Sequence, residues 1–242
     1  MNTENATWEQ RIIFLEDSVK NLQRQLTRAN DYIAIQNLAS EYQYYHQPKT
    51  MGKTMDLFAQ KTPGVSVGIS AGVDEGIDRV RAFWGKESVV PIEGVMLEHQ
   101  LTTPMIEVSE DGQTAKGVWM SPGHETVPGL LDGGHWVWGR YAADFVKEDG
   151  KWKIWHLWFY CTLRVRCGQD YADGPEAPSE ALIAHKERVE FSHPLPYVNI
   201  YTRESIREMV PVPPAPYSTF ESYDPTGGAP QPLRGMPPPA TK

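Results

Sequence analysis

Apolar residues recur near the start of the chain in alternating steps of three and four: Ile12, Leu15, Val19, Leu22, Leu26 and Ala29. This is a heptad seam of roughly 2.5 repeats, interleaved with charges such as Glu16, Lys20 and Arg24. So narrow a stripe has to be covered, by the helix's own domain or, alternatively, by another subunit. Asn30 or Asp31 suits the cap of a second helix reaching His46, with Ile35, Leu38, Tyr42 and Tyr45 spaced for one face. Pro48 ends that helix, because the residue before proline avoids the helical region. A third short helix is predicted over 50–60, a strand at Val65, Val67 and Ile69, and a helix over 74–84 with Ile77, Val80 and Trp84 on one side.

Near residue 94 the period changes from helical to alternating. Strands are predicted over 99–108, 114–120, 135–147 and 151–166, joined by the turns Glu110-Asp111-Gly112 and Glu148-Asp149-Gly150. The Gly/Pro-rich stretch 121–134 between them reads as a functional loop or lid. Beyond residue 168 the composition shifts. Fourteen of the 20 prolines lie from Pro175 to Pro239, which excludes a continuing sheet. A modest helix over 177–188, an extended 211–220 and a disordered last dozen residues are predicted. Tyr197, Tyr201, Tyr217, Phe220 and Tyr223 would dock this tail on the folded body. Helices followed by antiparallel strands give an α+β fold, with helices packed on a curved antiparallel sheet. The expected division is a helical extension over 1–30, an α+β barrel domain over 31–168 and a Pro/Tyr-rich extension over 169–242.

Composition narrows the chemistry. A formal net charge of −8 and the lack of any basic run argue against nucleic acid. No apolar stretch is long enough to cross a bilayer and no signal peptide opens the chain, so a cytoplasmic protein is expected. Cys161 and Cys167 form no disulfide framework. Neither HExxH nor CxxC is present, and the GxGxxG, GxxxxGK and GxSxG motifs are missing too. No metal and no cofactor are expected, leaving acid–base chemistry or simple binding.

Histidine is the side chain most readily tuned for proton transfer near neutral pH. His99 opens a strand on which Leu101, Thr103 and Met105 would share its face. Strict alternation puts Trp152, Ile154, His156, Trp158 and Tyr160 on one face of the last strand. With the helix end Tyr42/Tyr44/Tyr45/His46, these residues sketch an aromatic pocket with a few polar groups. Trp136 and Trp138, on the other face, suggest an oligomer interface.

The segments AIQNLASEYQYYHQP, MDLFAQ, GIDRVRAFW, EHQLTTPMIEVSEDGQTAKGVW and WGRYAADFVKEDGKWKIWH together resemble the nuclear transport factor 2-like superfamily, specifically its SnoaL-like branch, which includes scytalone dehydratase and polyketide cyclases. The resemblance implies a cone-shaped α+β barrel and a histidine on the strand after the last helix, here His99. It also implies an aspartate near the end of the first domain helix. Here that end reads YYHQP, so Tyr45 and His46 become the substitute acid/base candidates. The long tail looks like that of diarylpropane lyases acting on lignin-derived phenolic dimers. The expected activity is a cofactor-independent lyase on a phenolic aromatic substrate; the alternatives are a binding or assembly module and a steroid or polyketide isomerase or cyclase. His156, Tyr141 and Arg140 would bind substrate oxygens, although alternation keeps Arg140 and Tyr141 from both pointing inward. Tyr42, Trp84, Leu101, Thr103, Trp119, Trp158 and Tyr160 would line the site. A homo-oligomer, dimer or trimer, is expected.

Overall fold

The computed structural model describes residues 7–69, 72–84, 93–129, 131–173, 190–197, 200–220 and 226. The predicted helix over 177–188, Tyr223 and the last dozen residues lie outside these.

Helix α1, Trp8–Tyr45, is one uninterrupted element of 38 residues rather than two. Its start is a capping box in which the Thr7 side chain accepts from the Gln10 backbone and the Gln10 side chain from that of Thr7. Asp31 is no cap. It sits mid-helix, buried, accepting from Trp152 Nε1 at 2.8 Å and pairing with Lys147 Nζ at 2.9 Å. Those contacts bolt the helix to the sheet, so the local preference of Asp for a cap loses to a tertiary partner. Ile35, Ala39 and Tyr42 continue the same buried face. A 3-10 helix, Met51–Leu57, follows. Strands β1, Ser66–Ile69, and β2, Gly72–Glu75, precede helix α2, Ile77–Trp84. Asp74 thus belongs to a strand, not to the predicted helix.

The remaining strands are β3, Met96–His99; β4, Thr102–Val108; β5, Thr114–Ser121; β6, Gly123–Thr126; β7, His135–Glu148; and β8, Lys151–Arg166. Their order is β2-β1-β8-β7-β5-β4, with β6 on the far end of β7 and β3 on β6. The sheet is mixed rather than antiparallel throughout, because β1 enters beside β8 in the parallel sense. The predicted loop over 121–134 contains β6. The turns hold as read: Gly112, Asp149 and Gly150 all take positive φ.

Two β-bulges decide which residues face the helices. Asp144 pairs with His156 but Phe145 pairs with Ile154, so Trp155 is the extra residue. Trp152 and Ile154 face inward before it; Leu157, Phe159 and Cys161 face inward after it. His156, Trp158 and Tyr160 are therefore on the outer face. A one-residue shift moves every following side chain across the sheet. The second bulge, at Thr162, reverses the parity again and turns Arg164 inward, opposite Val137. On β7, Tyr141 is inward and Arg140 outward.

The outer face has its own cluster, with Val73, Val118, Ala142, Trp158, Tyr160, Leu195 and Val210. C-terminal residues cover it. Arg140 donates to Val210 O at 3.1 Å, Phe220 packs on Trp155, and Thr226 donates to Asp144. Asp144 also holds His156 Nδ1 at 2.9 Å and is almost fully buried. His156→Ala strips this carboxylate of its ring partner. It is expected to lower stability by about 1–3 kcal/mol in urea unfolding; an unchanged midpoint would show that the ring does not help to hold Asp144 in place.

Candidate active site

The inner end of α1, α2 and strands β3, β6, β7 and β8 converge on His99. Gln47, just past the helix, donates from Nε2 to Leu97 O at 3.1 Å and so fastens the helix end to β3. This brings the His46 and His99 rings to 5.3 Å between centroids. Trp84 closes the other side at 5.3 Å from His46 and 5.6 Å from Tyr42. Phe159 lies parallel to His99 at 5.8 Å and tilts against Tyr141 at 4.8 Å. Two glycines permit this crowding. A Cβ on Gly123, which pairs with His99, would meet Glu98 O at 2.4 Å and the His99 ring at 2.9 Å. A Cβ on Gly139 would meet the Phe159 ring at 2.5 Å.

Glu125 on β6 supplies the carboxylate that the end of α1 lacks. Its Oε2 is 3.6 Å from His99 Nε2, an ion-pair distance longer than a hydrogen bond, and its Oε1 is 2.9 Å from Arg164 Nε. Burial pushes the Glu125 carboxyl up, but His99, Arg164 and His135 outweigh it and hold the group below its ordinary value. On the other side of the ring, Tyr141 Oη lies 3.4 Å from His99 Nδ1. Nε2 thus faces an anion to which it can donate, and Nδ1 faces the Tyr141 hydroxyl. Burial raises the Tyr141 hydroxyl to about 12, so it remains a proton donor.

Beyond Tyr141 lies a small cavity lined by Ala39, Tyr42, Gln43, Leu101, Trp119 and Phe145, among others. Tyr42 Oη and the Gln43 amide stand beside the Tyr141 hydroxyl. Neither has a well-formed hydrogen bond among the described residues, and the same is true of His46 Nδ1 and Trp84 Nε1. Unsatisfied buried polar atoms cost about 1–3 kcal/mol each. Such a group of them around one aromatic enclosure is suited to a ligand with its own donors and acceptors.

Burial and the nearby His99 lower the His46 pKa from 6.5 to about 3, so this ring is neutral when the chain is folded. A depressed folded-state pKa contributes stability that is complete above the unfolded value and is lost as pH falls from 6.5 towards 3. His46→Gln is expected to flatten the decline in stability across that window. Urea midpoints at several pH values would check it, and an unaltered slope would contradict the assignment.

Residues 27–157, more than half of the chain, match the family model of the SnoaL-like domain. The chain belongs to the SnoaL-like domain family. No curated protein matches this SnoaL-like chain in sequence. Among solved structures it is similar to a hexachlorocyclohexane dehydrochlorinase, LinA type 2, with 18% identity, a TM-score of 0.50 and coverage of 64% of this chain and 99% of that one. It is also similar to a protein described as a scytalone dehydratase from Novosphingobium aromaticivorans, with 17% identity, a TM-score of 0.48 and coverage of 60% and 99%. An NTF2-like protein with a cystatin-like fold, from the same species, shares 17% identity at a TM-score of 0.45, covering 63% and 92%.

Several expected site residues of this SnoaL-like protein stand elsewhere. Tyr45 turns to the helix surface, donating to Glu41 Oε1 at 2.6 Å. His156, Trp158, Tyr160 and Arg140 are on the outer face. Thr103 is exposed at a bulge with φ +49°, and Met105 is exposed too, because the predicted strand breaks after His99 and resumes at Thr102. His99, His46, Tyr141, Tyr42, Trp84, Leu101 and Trp119 do gather at the inner site. Glu125, Gln43, Phe159 and Arg164 were missed. Glu125 lies two residues from Gly123 in a short alternating run that its Gly/Pro-rich flanks disguise. Among the described residues no group of three or more His, Cys, Asp or Glu is placed to hold a metal ion. No described helix is long and apolar enough to cross a membrane.

Proposed function

We propose that this protein is a cofactor-independent lyase whose proton-transfer group is His99, acting on a phenolic aromatic substrate. The observation that carries the reading is the line Glu125–His99–Tyr141, which runs from a buried carboxylate to an aromatic cavity with unsatisfied polar atoms. Glu125 orients the imidazole and stabilises its cation. In the substrate complex the Tyr141 O–H turns from His99 Nδ1 to a substrate oxygen, and that nitrogen is freed to move a proton to or from the reacting group. Tyr42, Trp119 and Phe145, which line the cavity, supply its aromatic walls.

A para-hydroxyphenyl carbinol suits this arrangement. Loss of the phenolic proton and of the benzylic hydroxyl, together one water, leaves a quinone methide with no net oxidation. The quinone methide is then an electron acceptor. Where the next carbon carries a hydroxymethyl group, as in a lignin-derived phenolic dimer, loss of that hydroxyl proton and cleavage of the C–C bond release formaldehyde. The bond's electron pair forms an alkene and restores the phenolate. The test is to incubate the full chain with para-hydroxybenzylic alcohols and such a dimer, following products by mass spectrometry. Loss of water or formaldehyde, faster than in a buffer control and abolished in His99→Ala, is expected. A product of unchanged mass with a moved double bond would replace this reading with an isomerase, and binding without conversion would replace it with a carrier.

A further inference from the structure

Among the described residues, nothing of the chain's own body covers the heptad seam on α1. Ile12, Leu15, Val19, Leu22 and Leu26 are 51–63% exposed. Trp8 and Ile33, also exposed, extend the same register at either end, so the seam covers about 3.7 heptads. At about 100° per residue, Ile33 and the seam point away from the side that carries Asp31, Ile35 and Tyr42, the side that packs on the sheet. The domain cannot fold back over this stripe without breaking the Asp31 contacts. The stripe also lies almost wholly ahead of the segment that matches the family, which begins at residue 27.

We infer that this seam is a dimerisation element that pairs with a second copy of the chain as a parallel two-stranded coiled coil. Residue type selects the number of strands. Positions a begin with the β-branched Ile12 and Val19, while positions d hold Leu15 and Leu22, the combination that favours two parallel helices. Charge selects the direction. In a parallel, in-register pair, Arg11 at g faces Glu16 at e of the other helix, twice by symmetry, and no like charges meet. An antiparallel pair sets Glu16 near Gln23 and Arg11 near Gln25 or Tyr32, and forms no ion pair. The seam and the domain-packing side are on opposite sides of α1, so the two bodies hang outward from the joined helices without collision.

Light scattering on the full chain at micromolar concentration is expected to give the mass of two chains. The double substitution Leu15→Asp/Leu22→Asp is expected to give one chain with unchanged near-ultraviolet circular dichroism, since both residues are remote from the core. Trp136→Ala/Trp138→Ala should leave the dimer intact. An Ile12→Cys substitution in a Cys167→Ser background should cross-link with itself on oxidation, because the two copies of this a position adjoin in the parallel arrangement and lie at opposite ends of the seam in the antiparallel one. A monomer, a trimer, or a dimer that survives the double Asp substitution would overturn the proposal. So would a dimer that Ile12→Cys cannot cross-link.

Discussion

Replacing His99 with alanine is expected to reduce turnover of a phenolic substrate at least about 100-fold, the usual range for losing a positioned general acid or base. The ring is enclosed by Phe159, His46 and Tyr141, so its removal leaves a hole, and stability has to be measured beside activity. Glu125→Gln separates the roles more cleanly. The amide keeps the shape and an acceptor oxygen for Arg164 while removing the charge that favours the imidazolium. Turnover should fall by about tenfold or more, with the binding of a substrate analogue little changed. Tyr141→Phe keeps the ring that packs on Phe159 and removes only the hydroxyl. A full rate in that variant would show that the proton does not pass beside Tyr141, and a full rate in His99→Ala would sink the proposed chemistry altogether.

How far the sequence led can be judged at particular residues. The turns at 110–112 and 148–150 and the long strands that flank them were legible, because Gly and Asp in tight turns and runs of β-branched and aromatic residues carry local physical causes. His99 was expected to open a strand and instead ends β3, with the next strand resuming at Thr102. What failed was the assumption of an unbroken period of two along β8. The bulges at Trp155 and Thr162 leave no mark in residue type, yet they reverse the facing of His156, Trp158 and Tyr160 and bring Arg164 in. Alternation did state correctly that only one of Arg140 and Tyr141 could point inward. The register of β7 against β5, where Tyr141 opposes the inward Trp119, selects Tyr141. Glu125 was hidden for another reason: its strand is four residues long and is held by a β3 strand equally short. Pairing of that kind is set by tertiary closure of the sheet, not by local preference.

The misread helix break at Asp31 leads to the largest stability effect. Asp31 accepts from Trp152 Nε1 and pairs with Lys147 Nζ, 116 residues away, and Lys147 lies over the Trp152 ring at 4.7 Å. Asp31→Ala leaves a buried indole N–H and a mostly buried ammonium without their acceptor. Breaking a buried pair costs about 3–5 kcal/mol, and the partial exposure of Lys147 places this one near about 3. Asp31→Asn keeps an acceptor for the indole and loses only the charge, so its cost should be smaller by about 1 kcal/mol or more. Both are read from urea unfolding at one fixed chain concentration, because self-association would couple stability to mass action. Equal losses in the two variants would mean that the ion pair alone joins helix to sheet. A loss under about 1 kcal/mol for Asp31→Ala would mean that apolar packing of Ile35, Ala39 and Tyr42 holds α1 in place by itself. The end of α1 would then need no bolt at Asp31 to keep His46 against His99.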